Sequence, residues 1–312
     1  MICVPTRTSL LGDIRYFDGI LFNVKDLDKT TWDLPTLRSP IQKYIFAANY
    51  SAEEYPVCSP IYDGYFNWTW SYRLDSLIPY SYITVYNLNY EDLGFDLHWN
   101  KVMKPIDERL KSMLQSKSKA AAIFLDNCDS SSTREVLLKQ LQRELAKYNL
   151  TVDVFGKCGT IRCGRKNINS FYYKLKTTYY FYLALEEVIA KDYITANIIT
   201  AYKHNAVPIV YSGADYNRHI PPYSYLDLRQ LGVTVLAKKM HRIIQNKEMY
   251  YDFFRWRNHY IVKETMGMDF CTLCEIMNNP AWLSAKLSVT TFRKWWNPNY
   301  EQRCKRHENF IF

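Results

Sequence analysis

Glycine is scarce in this sequence, with 10 residues in 312, and the glycine-rich loops that bind phosphates in two large enzyme classes do not occur. The chain contains neither G-x-G-x-x-G nor G-x4-G-K-[ST], so it does not support a dinucleotide-dependent dehydrogenase or a P-loop kinase. No apolar run reaches the ~18 residues that a membrane-spanning helix needs. The first residues contain no long apolar segment after a basic start, and we therefore predict no signal peptide there.

Acidic residues are the smaller charged group, with 31 Asp and Glu against 40 Lys and Arg, which gives a formal charge of +9. Three interpretations fit this surplus: a site for a diphosphate or another anion, a nucleic-acid surface, or a mildly basic surface without a target. Composition alone favours the last. No block of like charges and no signature of an RNA- or DNA-binding module is present, so we do not predict nucleic-acid binding.

Motifs for metal binding are also few. The eight cysteines are irregularly spaced, with Cys158 and Cys163 in a C-x4-C and Cys271 and Cys274 in a C-x-x-C. A zinc site would need two such pairs brought together as thiolates. The single D-x-D, Asp26–Asp28, lies in a polar loop, and we interpret its acids as solvated rather than as ligands of a divalent ion. The sequence therefore predicts no metal site.

Three N-x-S/T sequons suit a secretory compartment, where cysteines are more often disulfide-bonded than metal-bound. They begin at Asn49, Asn67 and Asn149. Sequons in a chain without an entry signal are a contradiction, which a missing N-terminal part would resolve.

The segment from residue 181 to residue 211 has the clearest secondary-structure pattern in the chain. Phe181–Leu185 is a short apolar run that ends at two adjacent acids, which predicts a buried strand. Apolar residues recur at helical spacing from Ile194 to Tyr202, with Asp192 and Thr195 as candidate N-caps. Val207–Tyr211 predicts a second strand. A strand, a helix and a strand form one βαβ unit, whose helix N-terminus lies at the carboxyl edge of the sheet, where anions bind.

Strands and helices alternate through the rest of the chain as well. This alternation predicts the α/β class with parallel sheets in two Rossmann-like domains. We divide the chain into residues 1–115, which include a polar linker, residues 116–280, and a C-terminal tail at 281–312. The further predicted strands are 19–23, 44–48, 120–126 and 151–155, and the further predicted helices are 134–148, 233–245 and 249–256.

The same segment carries a resemblance to a known family. It contains FYLALEE, DYITANI and VPIVYSG, which is similar to the FYLAFENS, DYITEKL and VPVVLG of the α1,3-fucosyltransferases. Residues 3–22, 34–46 and 66–80 also resemble this family. The resemblance implies the two-domain GT-B fold, with an acceptor-side domain at 1–115 and a donor-binding domain at 116–280. It further implies that the chain begins inside the first domain, after the membrane anchor, the stem and the initial strand.

The resemblance implies a donor site for GDP-fucose. Arg134 follows FLDNC and matches the arginine that contacts the donor diphosphate, while Glu186 and Tyr193 match residues of the same pocket. Structural interpretations stand beside these roles: an exposed helix arginine, a buried hydrogen-bonded acid and a ring packed on the sheet. The Glu-Lys pair of the family falls at Ala196 and Asn197, which removes one nucleoside contact and one phosphate contact.

The resemblance also fixes where a general base would lie. The acidic residue of the first domain's motif falls at Tyr50, and a phenol is a poor base at neutral pH. Glu53 or Glu54 are possible substitutes, although a rigid site rarely tolerates such a displacement. The catalytic base is therefore unknown. The resemblance makes Cys158, Cys163, Cys271 and Cys274 structural cysteines, which we predict to be in disulfides.

Two hypotheses follow. In the first, the chain is a Golgi enzyme on the lumenal face of the membrane that transfers L-fucose from GDP-fucose, without a metal or other cofactor and with inversion. Its acceptor would be a GlcNAc hydroxyl of an N-glycan or of LacNAc. In the second, it is a catalytically impaired relative that binds a glycan, a nucleotide or a partner enzyme.

Overall fold

The computed structural model describes residues 13–27, 34–161, 168–265 and 270–308. Its strands are β1 (Gly19–Asn23), β2 (Lys43–Ala48), β3 (Trp68–Ser71), β4 (Ile78–Pro79), β5 (Ile83–Asn87), β6 (Lys119–Phe124), β7 (Val152–Phe155), β8 (Tyr179–Leu185), β9 (Val207–Tyr211), β10 (Leu226–Asp227) and β11 (Tyr260–Glu264). Its helices are α1 (Val24–Leu27), α2 (Glu108–Leu114), α3 (Arg134–Ala146), α4 (Ile168–Thr178), α5 (Asn197–Lys203), α6 (Leu228–Leu231), α7 (Val233–Gln245), α8 (Lys247–Asp252), α9 (Phe270–Met277), α10 (Pro280–Ser284), α11 (Phe292–Trp296) and α12 (Tyr300–Glu308).

These elements form two compact units, each with its own parallel sheet. The boundaries differ from the predicted ones, in which the first domain and its linker extend to residue 115 and residues 281–312 form a tail. In terms of described residues, the first unit contains those up to Ser81, Ala190–Tyr193 and those from Phe270 onward, and the second unit contains those of Tyr82–Ile189 and Ile194–Thr265.

The sheet of the first unit has the order β1-β2-β3-β4, and all of its pairs are parallel. β2 has a partner on both sides and all six of its residues are buried, which is typical of an interior strand of a parallel sheet. In β3 the rings of Trp68 and Trp70 are also buried. Trp68 and Trp70 therefore form part of the core.

The C-terminal residues complete this core instead of forming a separate tail. Rings of α11 pack on the interior strand β2: Phe292 and Trp296 have their centroids 4.8 and 4.7 Å from that of Phe46. A disulfide between Cys58 and Cys304 ties α12 to the same unit. Because burial of large aromatic side chains contributes strongly to stability, this segment belongs to the fold of the first unit.

The sheet of the second unit has the order β10-β9-β8-β6-β7, again with all pairs parallel. Counted from β6, this is the 2-1-3-4-5 order of a doubly wound α/β sheet, in which the direction of winding reverses between β6 and β8. The fold class and the predicted βαβ unit are therefore confirmed. The predicted amphipathic helix at 134–148 is α3, and the predicted helix at 233–245 is α7.

Helices cover both faces of this sheet, because neighbouring residues of a strand point to opposite sides. On one face, Phe181 and Leu183 of β8 pack with leucines of α3 and with α7. On the other, Tyr182 and Ala184 pack with α4 and α5. Burial on both sides explains why β8 is apolar throughout and why its polar residues come only after its end.

An antiparallel ribbon lies just before residues 89–119, which the sequence predicts to be the linker. β5 pairs with β11, with Ile83 opposite Glu264 and Asn87 opposite Tyr260. The ribbon belongs to the second unit, which also contains residues 89–119. The partner strand of β5 lies far along the chain, so the local sequence contains no signal for it.

The helices of the described ranges are short. The helices α3 and α7 have 13 residues each, which corresponds to about 20 Å of rise. None of the helices in these ranges has the length and apolar character needed to cross a membrane.

Candidate functional site

The carboxyl edge of the second unit's sheet gathers several charged residues at the point where the winding reverses. The loop that follows β6 enters α3 at Arg134, and β8 is followed directly by Glu186 and Glu187. Ligands of doubly wound sheets bind outside the strand ends at such a reversal. Side chains from the two loops therefore meet at the expected position of a ligand.

Glu186 is an acid buried at this edge, with 4% of its surface exposed. Its Oε1 accepts hydrogen bonds from the backbone N–H and the hydroxyl of Thr195, each at 3.0 Å, and its Oε2 accepts from the same hydroxyl at 2.9 Å. Burial raises the pKa of Glu186 to about 7, although these hydrogen bonds and the charge of Arg134 act in the opposite direction. A carboxyl group with such a pKa exchanges its proton near neutral pH.

Arg134 is buried as well, with 6% of its side chain exposed, so it is not the exposed helix arginine of the structural interpretation. Its Nη1 donates to the carbonyl oxygen of Leu185 at 2.8 Å, at the end of β8. Its Nη2 donates to Oε1 of Glu187 at 2.8 Å, and its Nε donates to Oε1 of Glu135 at 3.3 Å. The guanidinium group therefore lies between the ends of β6 and β8.

Glu187 joins the two loops through its side chain and its backbone. Its Oε2 accepts from the side-chain amide of Asn127 at 3.1 Å, in addition to the ion pair with Arg134. Its backbone carbonyl accepts from the N–H of Ser132 at 2.9 Å and from the hydroxyl of Ser131 at 3.2 Å. In the sequence Glu187 is only the second of two adjacent acids after an apolar run, and these partners are not visible there.

A disulfide joins the loop after β7 to the loop after β6, and the two glycines of the β7 loop pack closely against backbone, one against the loop after β6 and one against β7 itself. Cys128 and Cys158 are disulfide-bonded. A Cβ atom on Gly156 would lie 2.4 Å from the carbonyl oxygen of Leu125, and one on Gly159 would lie 1.9 Å from that of Val154. Only glycine allows the backbone to approach so closely, which gives the GKCG motif a structural reason.

Ala196 and Asn197 lie at the beginning of α5. Ala196 is the N-cap residue and makes no side-chain capping bond, and neither side chain is charged. The side-chain amide oxygen of Asn197 accepts a hydrogen bond from the hydroxyl of Tyr182 at 3.0 Å. The backbone N–H of Asn197 donates to the Thr195 hydroxyl at 3.2 Å. Ala196 and Asn197 are thus neutral at the two positions where the family has a Glu-Lys pair, and Asn197 is hydrogen-bonded within the second unit.

Tyr193 belongs to the short segment that is part of the first unit. Its ring is buried and packs edge-on against that of Tyr72, with centroids 4.9 Å apart. The preceding residues are anchored there too: Asp192 accepts from the N–H of Leu74 at 3.2 Å, and Lys191 pairs with Asp75 at 2.8 Å. Asp192 therefore does not cap α5, as the sequence had suggested it could.

The candidate bases lie in the first unit, after β2. The ammonium group of Lys25 lies 3.6 Å from the centroid of the Tyr50 ring, and a hydrogen bond to Tyr50 raises the pKa of this lysine. Glu53 forms an ion pair with Arg303. Glu54 accepts a hydrogen bond at 2.9 Å from a serine hydroxyl of its own turn. Both possible substitutes therefore have partners within the unit.

Of the four predicted disulfide cysteines, Cys158 pairs with Cys128 and Cys274 is disulfide-bonded. Cys271 has an exposed thiol instead. Cys163 lies outside the described residues, as does Asp28 of the D-x-D.

The three sequon asparagines differ in their surroundings. Asn149 is exposed, and its φ of 56° places it in the left-handed turn after α3. Asn49 is half-buried. Asn67 is also half-buried, and its amide nitrogen donates to the carbonyl oxygen of Leu287 at 2.9 Å while its oxygen accepts from the N–H of Tyr44 at 2.9 Å.

Metal-ligating side chains do not cluster in the described ranges, where no group of three or more His, Cys, Asp or Glu could hold an ion. The positive charge at the candidate site comes from Arg134, and its acids are Glu135, Glu186 and Glu187. Thr195 and Glu187 are the residues whose importance the sequence did not indicate. A threonine in a capping position and an acid after a strand are too common to single out without the contacts.

Two family models match this sequence. One is described as the fucosyltransferase N-terminal domain and matches residues 3–83. The other is described as the C-terminal domain of glycosyltransferase family 10, the fucosyltransferases, and matches residues 114–295. Together they account for most of the chain, including both loops of the candidate site.

Curated relatives carry corresponding names. Alpha-(1,3)-fucosyltransferase C of Drosophila melanogaster is 30% identical over 298 residues, which are 94% of this chain and 68% of that protein. Glycoprotein 3-alpha-L-fucosyltransferase A of the same organism is 28% identical over 236 residues, which are 74% of this chain. The match with the second relative covers 43% of that protein's length.

A solved structure supports the fold. The crystal structure of an alpha1,3-fucosyltransferase with GDP-fucose aligns with a TM-score of 0.52 and 14% identity, over 85% of this chain and 79% of that chain. At this identity the similarity concerns the fold alone, and the family models and the first relative supply the family. The chain belongs to glycosyltransferase family 10, the fucosyltransferases.

Proposed function

We propose that this chain transfers L-fucose from GDP-fucose to a GlcNAc hydroxyl of a glycoprotein glycan, in α1,3 linkage and with inversion. Membership of the family supports the reaction class. The observation that carries the donor assignment is the position of Arg134 at the reversal point of the sheet, with its guanidinium group between the ends of β6 and β8. A diphosphate that reaches Arg134 at this edge would meet a guanidinium group held in place by its bond to Leu185.

In the proposed reaction the acceptor hydroxyl oxygen attacks the anomeric carbon of fucose from the side opposite the diphosphate. The bond between that carbon and the phosphate oxygen breaks, its electron pair stays on GDP, and the hydroxyl proton passes to a base. Arg134 would stabilise the charge that develops on the leaving diphosphate, which is the usual role of a fixed cation in such transfers. We propose no metal, because the positive charge comes from a side chain.

The proposed compartment is the Golgi lumen. The two described disulfides, Cys58–Cys304 and Cys128–Cys158, support an oxidising environment. The exposed sequon at Asn149 is compatible with glycosylation there. The acceptor stays open between the GlcNAc of an N-glycan and that of LacNAc.

The test incubates the secreted full chain with GDP-fucose and each acceptor, with and without EDTA, and follows the gain of one deoxyhexose by mass spectrometry. Arg134→Ala should abolish transfer. Arg143→Ala is the matched control, because Arg143 is an exposed arginine of the same helix. Absence of transfer under conditions in which the Drosophila relative works would overturn the proposal.

A second candidate is a catalytically impaired relative. It is favoured by the neutral side chains of Ala196 and Asn197. The lysines on either side of them in the sequence also have acidic partners, since Lys191 pairs with Asp75 and Lys203 with Glu264. The variant Ala196→Glu, Asn197→Lys discriminates between the two. Transfer by the variant but not by the natural chain supports impairment, and transfer by the natural chain at the relative's rate excludes it.

A further inference from the structure

The ion pair between Glu187 and Arg134 lies where the proposed diphosphate would bind. Nη2 of Arg134 donates to Oε1 of Glu187 at 2.8 Å, and the other carboxylate oxygen accepts from Asn127 at 3.1 Å. The carboxylate therefore makes two hydrogen bonds to donors of this edge, as an oxyanion of a ligand would. A charge-assisted contact of this kind is among the stronger hydrogen bonds in proteins.

The two partners differ in how they face the solvent. The side chain of Arg134 is 6% exposed and that of Glu187 is 48% exposed. The carboxylate thus lies on the solvent side of the guanidinium group, and a ligand that approaches from solution meets Glu187 first. A buried cation covered by a half-exposed acid is accessible only when the acid moves.

The contacts also indicate which groups stay in place. Arg134 is anchored by its bonds to Leu185 and Glu135, which do not involve Glu187. Glu135 is fixed in turn by the hydroxyl of Ser130 at 2.8 Å. The backbone of Glu187 is held through its carbonyl oxygen. A rotation of its side chain alone would therefore free one N–H of Arg134 Nη2, while the longer bond from Nη2 to the carbonyl oxygen of Asn127, at 3.5 Å, could stay.

A rotation of the Glu187 side chain would change the net charge around Arg134. With Glu187 in place, the guanidinium group faces two carboxylates, and the group of three side chains has a net charge of −1 when both acids are ionised. Such a site repels a diphosphate. Without the Glu187 charge, the remaining pair is neutral, and a freed N–H donor points toward the ligand.

We propose that Glu187 is an internal anion that occupies the diphosphate position on Arg134 and competes with the donor for it. The inference rests on the proposed function of Arg134 as a phosphate contact. Glu187 is then a residue that sets donor affinity, and its carboxylate must leave before GDP or GDP-fucose binds.

The test measures binding to the full chain by isothermal titration calorimetry, with GDP, guanosine and inorganic pyrophosphate as probes. Glu187→Gln removes the charge and keeps a side chain of the same size that can still bond to Asn127. We expect it to bind GDP and pyrophosphate about tenfold more tightly than the natural chain, which corresponds to about 1.4 kcal/mol. Guanosine has no phosphate, so its affinity should not change.

Two further variants serve as a replicate and as a control. Glu187→Asn is a second neutral variant and should also bind GDP more tightly if the charge is responsible. Glu144→Gln removes an acid that pairs with Lys147 on the exposed part of α3, and it should leave every affinity unchanged. Thermal unfolding of each variant identifies any that fail to fold.

The outcomes separate this inference from the proposed function. If the natural chain binds GDP, equal or weaker GDP binding by both folded Glu187 variants would overturn the inference, while the proposed function would stand. Tighter pyrophosphate binding without any GDP binding would support the inference and refute the GDP-fucose donor. Absence of binding of GDP and pyrophosphate to all folded variants would overturn the inference.

Discussion

Glu186 and Thr195 form a closed pair at the end of β8, in which the threonine donates both its N–H and its hydroxyl to one buried carboxylate. The same hydroxyl accepts from the N–H of Asn197 at 3.2 Å, so the pair links the strand to the first residue of α5. These hydrogen bonds lower the pKa of Glu186, but burial has the larger effect and raises it to about 7. This acid therefore couples the stability of the second unit to pH.

The first prediction concerns that coupling. The pKa of a glutamate in an unfolded chain is ~4.3, so between about pH 4 and 7 the folded state binds more protons than the unfolded state at this position. The contribution of Glu186 to stability is thus present at low pH and is lost as the pH rises through 7. Glu186→Gln should remove it, and the difference between the two free energies of unfolding should change by about 3 kcal/mol from pH 4 to pH 8.

Urea unfolding of the natural chain and of Glu186→Gln at a series of pH values checks this. Glu144→Gln is a control, because Glu144 lies on the surface of the same unit in an ion pair with Lys147. Parallel stability curves for the natural chain and Glu186→Gln would contradict the prediction.

The second prediction distinguishes the sequons. Asn149 is exposed in a turn, whereas the amide group of Asn67 donates to Leu287 and accepts from Tyr44. A glycan on the Asn67 nitrogen would disrupt these contacts in the half-buried site. Peptide mass spectrometry of the secreted, folded protein should therefore find a glycan at Asn149 and none at Asn67.

Two variants complete that experiment. Asn149→Gln should lose the mobility shift that peptide N-glycosidase removes, with little change in stability. Asn67→Gln should retain the shift and lower the unfolding temperature. A glycan at Asn67 in folded protein would refute the assignment.

The third prediction concerns the loop after β7. A Cβ atom on Gly159 would lie 1.9 Å from a backbone oxygen of Val154, whereas one on Gly94 would meet nothing within 4 Å. Gly159→Ala should destabilise the second unit by about 3 kcal/mol or more, because the backbone must move. Gly94→Ala has open space but a φ of +66°, and we expect a cost of about 1 kcal/mol. Equal unfolding midpoints for the two variants would contradict this.

Much of the second unit could be predicted from the sequence, because its signals are local. The apolar run of β8 and the leucine spacing of α3 each lie within one element and follow from burial. The pairing of β5 with β11 joins residues about 180 positions apart, as Ile83 with Glu264, and neither strand carries a mark of its partner. The boundary of the second unit at Tyr82 therefore has no local signal in the sequence.

In the candidate site, too, the sequence predicts what depends on local motifs but not what depends on contacts between distant segments. Arg134 and Glu186 were found through their motifs, but the ion pair between Arg134 and Glu187 depends on the loop after β6 folding over the end of β8. In the sequence Glu187 is only one of two adjacent acids after an apolar run. Glu187 pairs with Arg134 because β6 and β8 are neighbours in the sheet. The spacing of residues in the sequence does not give the order of the strands.

The last prediction concerns the C-terminal residues, which the sequence presented as a tail. Trp296 is fully buried, its centroid lies 4.7 Å from that of Phe46, and its indole N–H donates to the carbonyl oxygen of Tyr55 at 2.9 Å. Trp296→Ala should destabilise the first unit by about 3–5 kcal/mol, because it leaves a large cavity and an unpaired carbonyl group. Trp282 of α10 is 37% exposed and provides the matched control, for which we expect a smaller loss, about 1 kcal/mol. Urea unfolding followed by near-ultraviolet circular dichroism measures both. If the two variants lose similar stability, the C-terminal segment is not part of the first unit's core.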